Sequence, residues 1–511
     1  MAAHAFKHLF TPLRIGNVTV KNRIFSTGHD TSMPTDGTVN DRLVAYHKAR
    51  AEGGCGLIVM QVAGVHDSAR YTSHILMATT DECIPGYRRV VEIGRQNDCR
   101  IFGQLFHPGR EIMESSDGST PVAWAPSAVP NERFHVMPRP LTQRMIDAIV
   151  EGYGTAAARL RTAGIEGVEV VASHAYLPSQ FLNPRINLRE DGYGGSLENR
   201  LRFLREVIAS IRRHVGNDFV VGLRISGDDR DQDGQKEGEA LEAILSLEKD
   251  GRLDYFNVIA GSSATYSGAI HIVPPMIVEN AYVAPFAAIV KANVSKPVFV
   301  AGRINQPQDA EKVLASGQAD LCGMTRAQIC DPALAGKAEA GRLDDIRACI
   351  ACNQACIGHF HLGYPISCIQ FPESGRELEY ATRKPASPQR KVLIAGGGPG
   401  GMKAAAVAAE RGHEVILCEA SDRLGGQALL AQLLPGRAEF GGIVTNLSRE
   451  IELAGATVRT RTRVDRALVE AEKPDVVIVA TGAEPYLPDF EGREGGHVVT
   501  AWQVLKGEAN V

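Results

Sequence analysis

The sequence lacks the features of a membrane protein or a nucleic-acid-binding protein. No window of the 511 residues approaches about eighteen uninterrupted apolar residues, so we expect no membrane span. The first ten residues contain no apolar run, so we expect no secretory signal. The net charge of −4 gives no basic footprint for a nucleic-acid partner. These absences leave an enzyme or binding protein for small molecules as the main class to consider.

Composition and cysteine usage indicate an intracellular enzyme with more than one domain. The chain is 44% hydrophobic and 22% charged, and its length is sufficient for two or three domains. Its 52 glycines and 26 prolines suit a loop-rich α/β enzyme. Six of the ten cysteines are scattered along the chain, mostly among apolar residues. Reduced thiols of this kind predict a cytoplasmic location.

Short apolar runs alternate with helical patterns over roughly the first two thirds of the chain. Helical patterns such as Met145–Ala163 and Leu197–Val215 separate most of these runs. Eight strands that alternate with helices predict a (β/α)8 TIM barrel in the α/β class, with an open doubly wound sheet as the alternative. The predicted strands are Ile24–Thr27, Gly56–Val62, Arg100–Leu105, Gly167–Val171, Phe219–Ile225, Tyr255–Ala260, Pro297–Ala301 and Leu321–Met324.

Polar residues lie at or near the ends of several predicted strands, where a TIM barrel carries its chemistry. Gln104 lies near the end of the third strand, and Arg224 lies in the fifth. Glycine and arginine follow both the seventh and the eighth strand, where glycine admits backbone N–H groups to a phosphate and arginine adds a forked charge. The sequence therefore predicts a phosphate site formed by Gly302, Arg303, Gly323 and Arg326.

Four cysteines fall within twenty residues, in the spacing C-x2-C-x3-C-x11-C. Three close cysteines and a later fourth are typical of an iron–sulfur cluster. Zinc sites more often show two well-separated pairs, or one pair followed by histidines. Four unliganded thiols are the remaining alternative, although such thiols have no reason to gather. The predicted metal ligands are Cys349, Cys352, Cys356 and Cys368.

A dinucleotide-binding fingerprint follows the cysteines. Residues 391–401 (KVLIAGGGPGG) predict a strand, a glycine turn and a helix, and an acid ends the next strand. The glycines let a pyrophosphate approach the helix N-terminus, and the acid can bond a ribose hydroxyl. Residues 423–427 (RLGGQ) and 480–482 (ATG) extend the pattern. The predicted nucleotide-binding residues are Gly396, Gly398, Gly401, Glu419, Arg423 and Gln427.

These motifs predict three parts in the chain. A barrel spans residues 1–345, an iron–sulfur segment with a proline-containing linker spans 346–388, and a Rossmann-like domain for FAD or ADP spans 389–511. The last part holds no second fingerprint. We therefore expect an incomplete fold with an exposed sheet edge if the chain is a fragment, the alternative being a natural chain without a further domain.

Three further motifs carry a resemblance to a known family. Residues 103–110 (GQLFHPGR), 174–184 (HAYLPSQFLNP) and 193–200 (YGGSLENR) resemble the old yellow enzyme family of flavin oxidoreductases. With the cysteines and the fingerprint, the chain from about residue 8 resembles the multidomain branch that includes 2,4-dienoyl-CoA reductase and trimethylamine dehydrogenase. The resemblance implies FMN in the barrel, a [4Fe-4S] cluster, and FAD or ADP in the last domain.

The resemblance also implies roles for individual barrel residues. Gln104 and Arg224 would contact the FMN ring, Val62 would contact it through its backbone, and the two glycine–arginine pairs would hold the phosphate. An arginine near the ring is reasonable because reduced flavin carries negative charge there. His174 and Tyr176 would face the substrate, with Tyr176 as a proton donor.

The sequence departs from the named enzymes in its pocket. Asp30 falls where trimethylamine dehydrogenase attaches FMN through a cysteine, and Val171 replaces a tyrosine of that enzyme. The two tryptophans, Trp124 and Trp502, lie away from the expected aromatic site for a cationic amine. We therefore count Asp30 as a cofactor contact and predict a small polar substrate. The candidates for the reductase's second catalytic histidine are Tyr266 and His271.

Two functions follow from the resemblance. The first is reduction of an activated C=C bond, with electrons passing from NAD(P)H through FAD and the [4Fe-4S] cluster to FMN. The alternative is oxidative N-demethylation of a small methylamine or N-methyl amino acid, with electrons leaving through the cluster. The expected partners are a small-molecule substrate and NAD(P)H or an electron-transfer partner, and a homo-oligomer is left open.

Overall fold

The computed structural model describes residues 6–113, 122–495 and 497–509. The chain divides into two units by its internal contacts. The first unit comprises Met1–Gly341 and Asn353–Ala381, and the second comprises Arg342–Cys352 and Thr382–Val511. None of the described helices is long and apolar enough to cross a membrane.

Eight strands of the first unit build a closed parallel barrel. In chain order the described strands of this unit are Leu13–Ile15 (β1), Val18–Val20 (β2), Ile24–Ser26 (β3), Leu57–Gly64 (β4), Leu76–Met77 (β5), Arg100–Phe106 (β6), Trp124–Ala125 (β7), Arg139–Pro140 (β8), Gly167–Ala172 (β9), Val220–Ser226 (β10), Tyr255–Ile259 (β11), Val298–Ala301 (β12) and Leu321–Gly323 (β13). Pairing runs from β3 through β4, β6, β9, β10, β11 and β12 to β13, which pairs again with β3. The predicted TIM barrel is confirmed.

An antiparallel hairpin of β1 and β2 plugs the barrel at the N-terminal ends of its strands. Ile15, Val18 and Val20 are buried in one cluster with rings from the barrel interior. Among these rings, Tyr255 and Phe299 stack with centroids 4.2 Å apart. Because apolar side chains fill this end, the opposite end of the barrel is left for a ligand.

Helices surround the barrel and cap it. In chain order the α-helices of the first unit are Asp41–Glu52 (α1), Cys83–Gln96 (α2), Gln143–Ala163 (α3), Leu177–Leu182 (α4), Leu197–Val215 (α5), Glu237–Lys249 (α6), Tyr266–Ile272 (α7), Ala284–Asn293 (α8), Pro307–Ala315 (α9), Thr325–Cys330 (α10), Leu334–Glu339 (α11), Ile357–His361 (α12) and Glu377–Tyr380 (α13). Thr142 caps α3 by accepting from the Met145 N–H, and Gly164 ends it with φ of 94°.

The segment Asn353–Ala381 returns to the barrel and packs on it. Arg50 of α1 is fully buried and bonds Glu377 of α13 at 2.9 Å, while its guanidinium lies 3.3 Å from the centre of the Tyr46 ring. The Ile366 N–H donates to the Thr31 carbonyl at 2.9 Å. A buried arginine needs a buried charge as its partner, and Glu377 of the predicted linker supplies it. This part of the predicted linker is therefore packed against the barrel.

The second unit contains a four-stranded parallel sheet. Its elements are Lys391–Ala395 (β14), Pro399–Glu410 (α14), Glu414–Cys418 (β15), Ala428–Ala431 (α15), Gly441–Ala454 (α16), Thr457–Arg459 (β16), Arg466–Glu472 (α17), Val476–Val479 (β17) and Ala501–Leu505 (α18). The strand order is β16, β15, β14, β17. The edge strand β17 alternates between half-buried and exposed residues, and Val479 is 73% exposed.

Candidate active site

One cavity, here called the inner cavity, lies at the C-terminal ends of the barrel strands. It contains about 1180 Å³ of atom-free space, including its open mouth. Residues from β4, β6 and β10 line it, together with residues that follow β3, β9, β12 and β13. Apart from the two alternative candidates Tyr266 and His271, it gathers the barrel residues predicted from the sequence as site residues: Asp30, Val62, Gln104, His174, Tyr176, Arg224, Gly302, Arg303, Gly323 and Arg326.

A buried polar network holds Gln104 in place. The Gln104 Nε2 donates to Glu169 Oε1 at 2.6 Å. Asn257 Nδ2 and the Tyr255 hydroxyl donate to the other oxygen of Glu169, at 2.8 and 3.2 Å. Sequence motifs missed Glu169, although an acid inside the otherwise apolar strand β9 was a usable signal. A charged acceptor of this kind fixes the amide orientation of Gln104.

Arg224 is buried next to this network and has a free hydrogen-bond donor. Its Nη1 donates to the Gly28 carbonyl at 2.9 Å, while its Nε has no partner among the residues that the structure describes. Burial lowers the pKa of the guanidinium, and the Glu169 charge opposes that shift. A buried N–H at a cavity wall needs an acceptor, which a flavin ring provides. These donors fit FMN.

The residues predicted to bind the FMN phosphate offer positive charge and bare glycine backbone in the structure. Arg326 Nη1 donates to the Pro274 carbonyl and to Asn353 Oδ1, both at 2.7 Å, and these acceptors carry no charge. A Cβ atom at Gly302 would lie 2.4 Å from the Val283 side chain, so this position admits only glycine without a shift. Positive charge beside bare backbone suits a phosphate group.

His174 and Tyr176 follow β9 in an unusual backbone conformation. His174 and Ala175 both have φ of 59°, which non-glycine residues adopt at a cost and which clusters at functional sites. The two rings stack with centroids 5.6 Å apart, and the Ser173 hydroxyl lies 2.7 Å from His174 Nδ1. Burial, and then the Arg224 charge, lower the pKa of His174 well below its usual value, so the imidazole is neutral at pH 7.

Asp30 is the acid of the inner cavity, and a tyrosine holds one of its oxygens. The Tyr71 hydroxyl donates to Asp30 Oδ2, whereas Oδ1 has no partner within the described part of the chain. Burial raises the pKa of Asp30 to about 6, against the lowering effect of the Tyr71 bond. Burial and the Asp30 charge raise the pKa of Tyr176, and a hydrogen bond with Tyr71 opposes that shift. No motif marked Tyr71, which lies in a loop before β5.

A second cavity, here called the outer cavity, shares the residues Val273, Ile357 and Phe360 with the inner cavity. Of the two candidates for a further catalytic group, Tyr266 lines the outer cavity and is 64% exposed. The other, His271, lines neither of these two cavities, and its Nδ1 lies 2.9 Å from the Ser267 carbonyl oxygen. The structure therefore brings Tyr266, but not His271, to the path toward the inner cavity.

The four clustered cysteines are partly buried, and they are divided between the units. Cys349 and Cys352 belong to the second unit, and the other two belong to the first. The Ala351 N–H is directed at Cys349 Sγ at 3.5 Å, which suits a thiolate. Within the described ranges, no three His, Cys, Asp or Glu side chains are arranged to hold a metal ion. The cluster therefore stays a prediction.

The glycine turn of the second unit adopts the shape that the fingerprint predicts. Gly396 has φ of 113°, and a Cβ atom at Gly401 would lie 1.9 Å from the Gly396 carbonyl oxygen. Gly398 caps α14. Glu419 accepts from the N–H groups of Gly397 and Ser421, both at 2.7 Å. Burial raises the pKa of this carboxyl, but these bonds outweigh burial and lower it overall, so Glu419 is an anion at pH 7.

The remaining two predicted nucleotide contacts lie on the segment between β15 and α15. Gln427 donates Nε2 to the Ala483 carbonyl at 2.7 Å, which joins this segment to the residue that follows the 480–482 motif. Arg423 has an exposed side chain, and its carbonyl accepts from the Ser421 hydroxyl at 2.8 Å. Both residues are therefore available to a ligand, and their roles stay predictions.

The closed barrel, the buried arginine and amide at its open end, and the glycine turn of the second unit define a flavin-dependent oxidoreductase. Family comparison agrees. Residues 8–345 match the NADH:flavin oxidoreductase / NADH oxidase family, and residues 390–506 match the pyridine nucleotide-disulphide oxidoreductase family. The chain belongs to the NADH:flavin oxidoreductase / NADH oxidase family, in its multidomain branch related to old yellow enzyme.

Similar proteins carry out both reductive and oxidative chemistry by name. The N,N-dimethylglycine/sarcosine dehydrogenase of Chromohalobacter salexigens is 37% identical over 98% of this chain and 74% of that protein. The NADH oxidase of Thermoanaerobacter brockii is 36% identical over 99% of this chain and 78% of that protein. A solved structure of 2-naphthoyl-CoA reductase with 2-naphthoyl-CoA has a TM-score of 0.93 and 31% identity, and it covers 99% of this chain and 78% of that chain. The present chain is an NAD(P)H-linked flavin oxidoreductase.

Proposed function

We propose that the enzyme oxidises the N-methyl group of a small N-methylated amine or amino acid, the alternative function predicted from the sequence. The observation that carries this proposal is Asp30, whose Oδ1 has no partner among the described residues and which lines the inner cavity. Aromatic rings accompany this acid, since Tyr71 packs edge-on against Phe106 at 5.3 Å and against Tyr176 at 6.1 Å. A carboxylate among aromatic rings suits an alkylammonium group.

The proposed cofactor contacts in the barrel are those predicted from the sequence except Asp30, which we assign to the substrate nitrogen instead of to FMN. Gln104 and Arg224 would bond the FMN ring, Val62 would contact it, and Arg303 and Arg326 would hold its phosphate with the two glycines. The support for these roles is that all of these residues line one cavity that offers an unpartnered buried N–H from Arg224. When bound, FMN would supply a two-electron acceptor or donor of hydride.

The reaction breaks one C–H bond of the N-methyl group. Bound FMN would supply the acceptor for the hydride, and the iminium carbon would then add water and split into the demethylated amine and formaldehyde. Asp30 and Tyr71 would bind the nitrogen, and Asp30 would accept the ammonium proton so that the nitrogen lone pair is free before the C–H bond breaks. His174, neutral at pH 7, adds no competing positive charge beside the amine.

The remaining electron carriers are also proposals. The four clustered cysteines would bind a [4Fe-4S] cluster, supported by their spacing and thiol chemistry. The glycine turn and Glu419 would bind FAD or ADP, supported by the left-handed Gly396 and the anionic carboxylate. Electrons would leave the reduced flavin through the cluster to a nicotinamide or protein acceptor. Cytoplasmic location remains our prediction, because such thiols persist in reducing compartments.

Reduction of an activated C=C bond is the second candidate, and Tyr176 favours it. Its phenol lies in the inner cavity, and its ring packs against Tyr71, whose hydroxyl donates to Asp30. Such a chain of hydroxyl groups could deliver a proton to the carbon opposite hydride transfer, as the sequence predicted. The structural similarity to 2-naphthoyl-CoA reductase agrees with this candidate.

Anaerobic absorbance spectroscopy of the bound flavin separates the two functions. We expect N,N-dimethylglycine, sarcosine or N-methylproline to bleach the oxidised flavin and to release one formaldehyde per flavin reduced. Under the second candidate, dienoyl-CoA esters or enones should reoxidise the chemically reduced flavin instead. If neither group of compounds changes the spectrum, both functions are wrong.

A matched pair of variants tests the role of Asp30. Asp30→Asn keeps the shape of the side chain but removes its charge, so we expect flavin bleaching by the amine to slow at least about 30-fold. Asp36→Asn removes an exposed carboxylate from the same loop and should leave the rate unchanged. Flavin content, measured on the denatured protein, should equal that of the wild type in both variants. An unchanged rate in Asp30→Asn would remove the main support for amine oxidation.

A further inference from the structure

The outer cavity differs from the inner cavity in its charge. It contains about 1410 Å³ of atom-free space, including its opening to solvent. No aspartate or glutamate occurs among its described lining residues, and Arg133 is the one permanent charge among them. Polar and aromatic groups such as Thr72, Tyr266 and Phe134 supply much of the remaining wall. The path to the inner cavity is therefore electropositive, whereas the inner cavity contains an acid.

Neighbouring groups position Arg133 without neutralising it. Its Nη2 lies 2.9 Å from His361 Nδ1, and its guanidinium carbon lies 5.0 Å from the Phe134 ring centre. Burial, and then the Arg133 charge, lower the pKa of His361 to about 4, so this histidine is neutral at pH 7. Among the described residues, no carboxylate lies within ion-pair distance of Arg133, and its Nε and Nη1 make no hydrogen bond.

One buried carboxylate, Glu111, is influenced by the Arg133 charge, and it has other partners. Glu111 is buried and accepts from Asn131 at 2.9 Å and from Ser263 at 2.8 Å, and it lies 3.6 Å from Arg110. Burial raises the pKa of Glu111 to about 7 despite these neighbours, which further limits its negative charge near neutral pH. The Nε and Nη1 groups of Arg133 are therefore available as hydrogen-bond donors to a ligand, and no described carboxylate pairs with its positive charge.

We propose that Arg133 binds an anionic group of the substrate in the outer cavity while the reacting atoms lie in the inner cavity. This proposal rests on the proposed function and narrows its substrate class to dipolar molecules. The substrate carries a positive nitrogen, which the Asp30 carboxylate attracts, and a carboxylate or phosphate, which the guanidinium attracts. Two opposite charges at the two ends of one path orient such a molecule before any contact with the flavin.

The proposal predicts a preference that the inner cavity alone would not produce. An N-methylated amino acid satisfies both charges, whereas a simple methylamine satisfies only Asp30. A guanidinium–carboxylate pair in a partly enclosed site changes affinity by about tenfold or more. A coenzyme A thioester would offer phosphate groups to the same arginine. Binding must therefore be measured both with a carboxylate ligand and with a phosphate ligand.

Equilibrium binding to the full chain with its flavin chemically reduced tests the proposal without turnover. The probes are N,N-dimethylglycine, its uncharged-end analogue N,N-dimethylethanolamine, and coenzyme A, with Kd measured by calorimetry. We expect Arg133→Gln to weaken binding of N,N-dimethylglycine at least about tenfold and to leave N,N-dimethylethanolamine within about twofold. Arg133→Lys keeps the charge but loses the fork, so it should recover only part of the affinity. If Arg133→Gln weakens the binding of coenzyme A but not of N,N-dimethylglycine, the anionic group that Arg133 binds is a phosphate.

Three results would overturn the proposal, and none depends on catalysis. The first is equal Kd values for wild type and Arg133→Gln with both anionic probes. The second is that Arg133→Gln weakens binding of N,N-dimethylethanolamine as much as it weakens binding of N,N-dimethylglycine. The third is that neither anionic probe binds to the wild type. Flavin content and melting temperature of both variants should match the wild type, because Arg133 is only partly buried. If N,N-dimethylglycine binds through Arg133 but fails to bleach oxidised flavin, the anion site stands and the proposed oxidation fails.

Discussion

At the scale of single residues, the titration of Asp30 gives a test of its role. Its pKa is raised to about 6, so the carboxylate is charged above this pH and neutral below it. Burial keeps His174 neutral and keeps Tyr176 protonated near this pH, so neither should titrate there. We expect the rate of flavin reduction at low amine concentration to fall about tenfold per pH unit below pH 6. Stopped-flow measurements between pH 4.5 and about 8 would check this.

The Asp30→Asn variant supplies the control for that pH profile. Without the titrating group, the inflection near pH 6 should disappear while the overall rate is lower. An inflection that persists unchanged in Asp30→Asn would assign the titration to another group and would contradict the role of this acid.

Glu169 is a second residue whose effect can be measured. It accepts from Gln104, Asn257 and Tyr255 and is fully buried. In Glu169→Gln, an amide NH2 replaces one charged acceptor, so a buried donor faces another donor. We expect a loss of about 2–3 kcal/mol in unfolding free energy and weaker flavin retention, since a hydrogen bond to a charged group is worth about 1.5–3 kcal/mol.

Urea unfolding followed by flavin fluorescence would measure both effects of Glu169→Gln. Glu166→Gln is a suitable comparison, because that partly exposed acid pairs with Arg100 at the protein surface and should change stability by less than about 1 kcal/mol. Equal stabilities of the two variants would show that the Glu169 network does not support the cavity.

At the scale of elements, the sequence predicted the barrel more completely than the site. The eight strands begin and end within two residues of their predicted ranges. The reason is that short apolar runs between Gly- and Pro-rich turns are typical of buried strands and of few other elements. Strand ends of a barrel converge, so Gln104, Arg224 and Tyr176 were expected to meet, and all three line one cavity. What failed was pairing across long separations: Arg133 and His361 are 228 residues apart, and no periodicity joins them.

The hairpin β1–β2 shows how a short element stabilises the barrel. Ile15 is fully buried among the apolar side chains at the N-terminal strand ends. Ile15→Ala would leave a cavity there, and we expect it to lower the unfolding free energy of the barrel by about 2–5 kcal/mol. Ile277→Ala removes the same atoms from a side chain that is 66% exposed and should change it by at most about 0.5 kcal/mol. Near-UV circular dichroism in urea would compare the two; equal midpoints would contradict the plug.

At the scale of the whole molecule, the two units carry different halves of one predicted redox system. The inner cavity belongs to the first unit, and the glycine turn with Glu419 belongs to the second. Each unit contains two of the four clustered cysteines. If the four cysteines bind the predicted cluster, its occupancy is the property on which electron transfer between a barrel flavin and a second nucleotide would depend.

Metal analysis of two cysteine variants gives the most direct test of this arrangement. Anaerobically purified wild type should contain about four iron atoms per chain, and Cys352→Ser should lose nearly all of them together with the visible absorption of the cluster. Cys83→Ser should retain the iron, because burial raises the pKa of that thiol to about 11 and keeps it protonated, which makes it a poor ligand. Flavin content should be the same in both variants, since neither cysteine lines the inner cavity. Zinc in place of iron, or equal iron in both variants, would contradict the predicted cluster. The flavin of the barrel would then need a direct acceptor, and amine oxidation would have to end in a reaction of the reduced flavin itself.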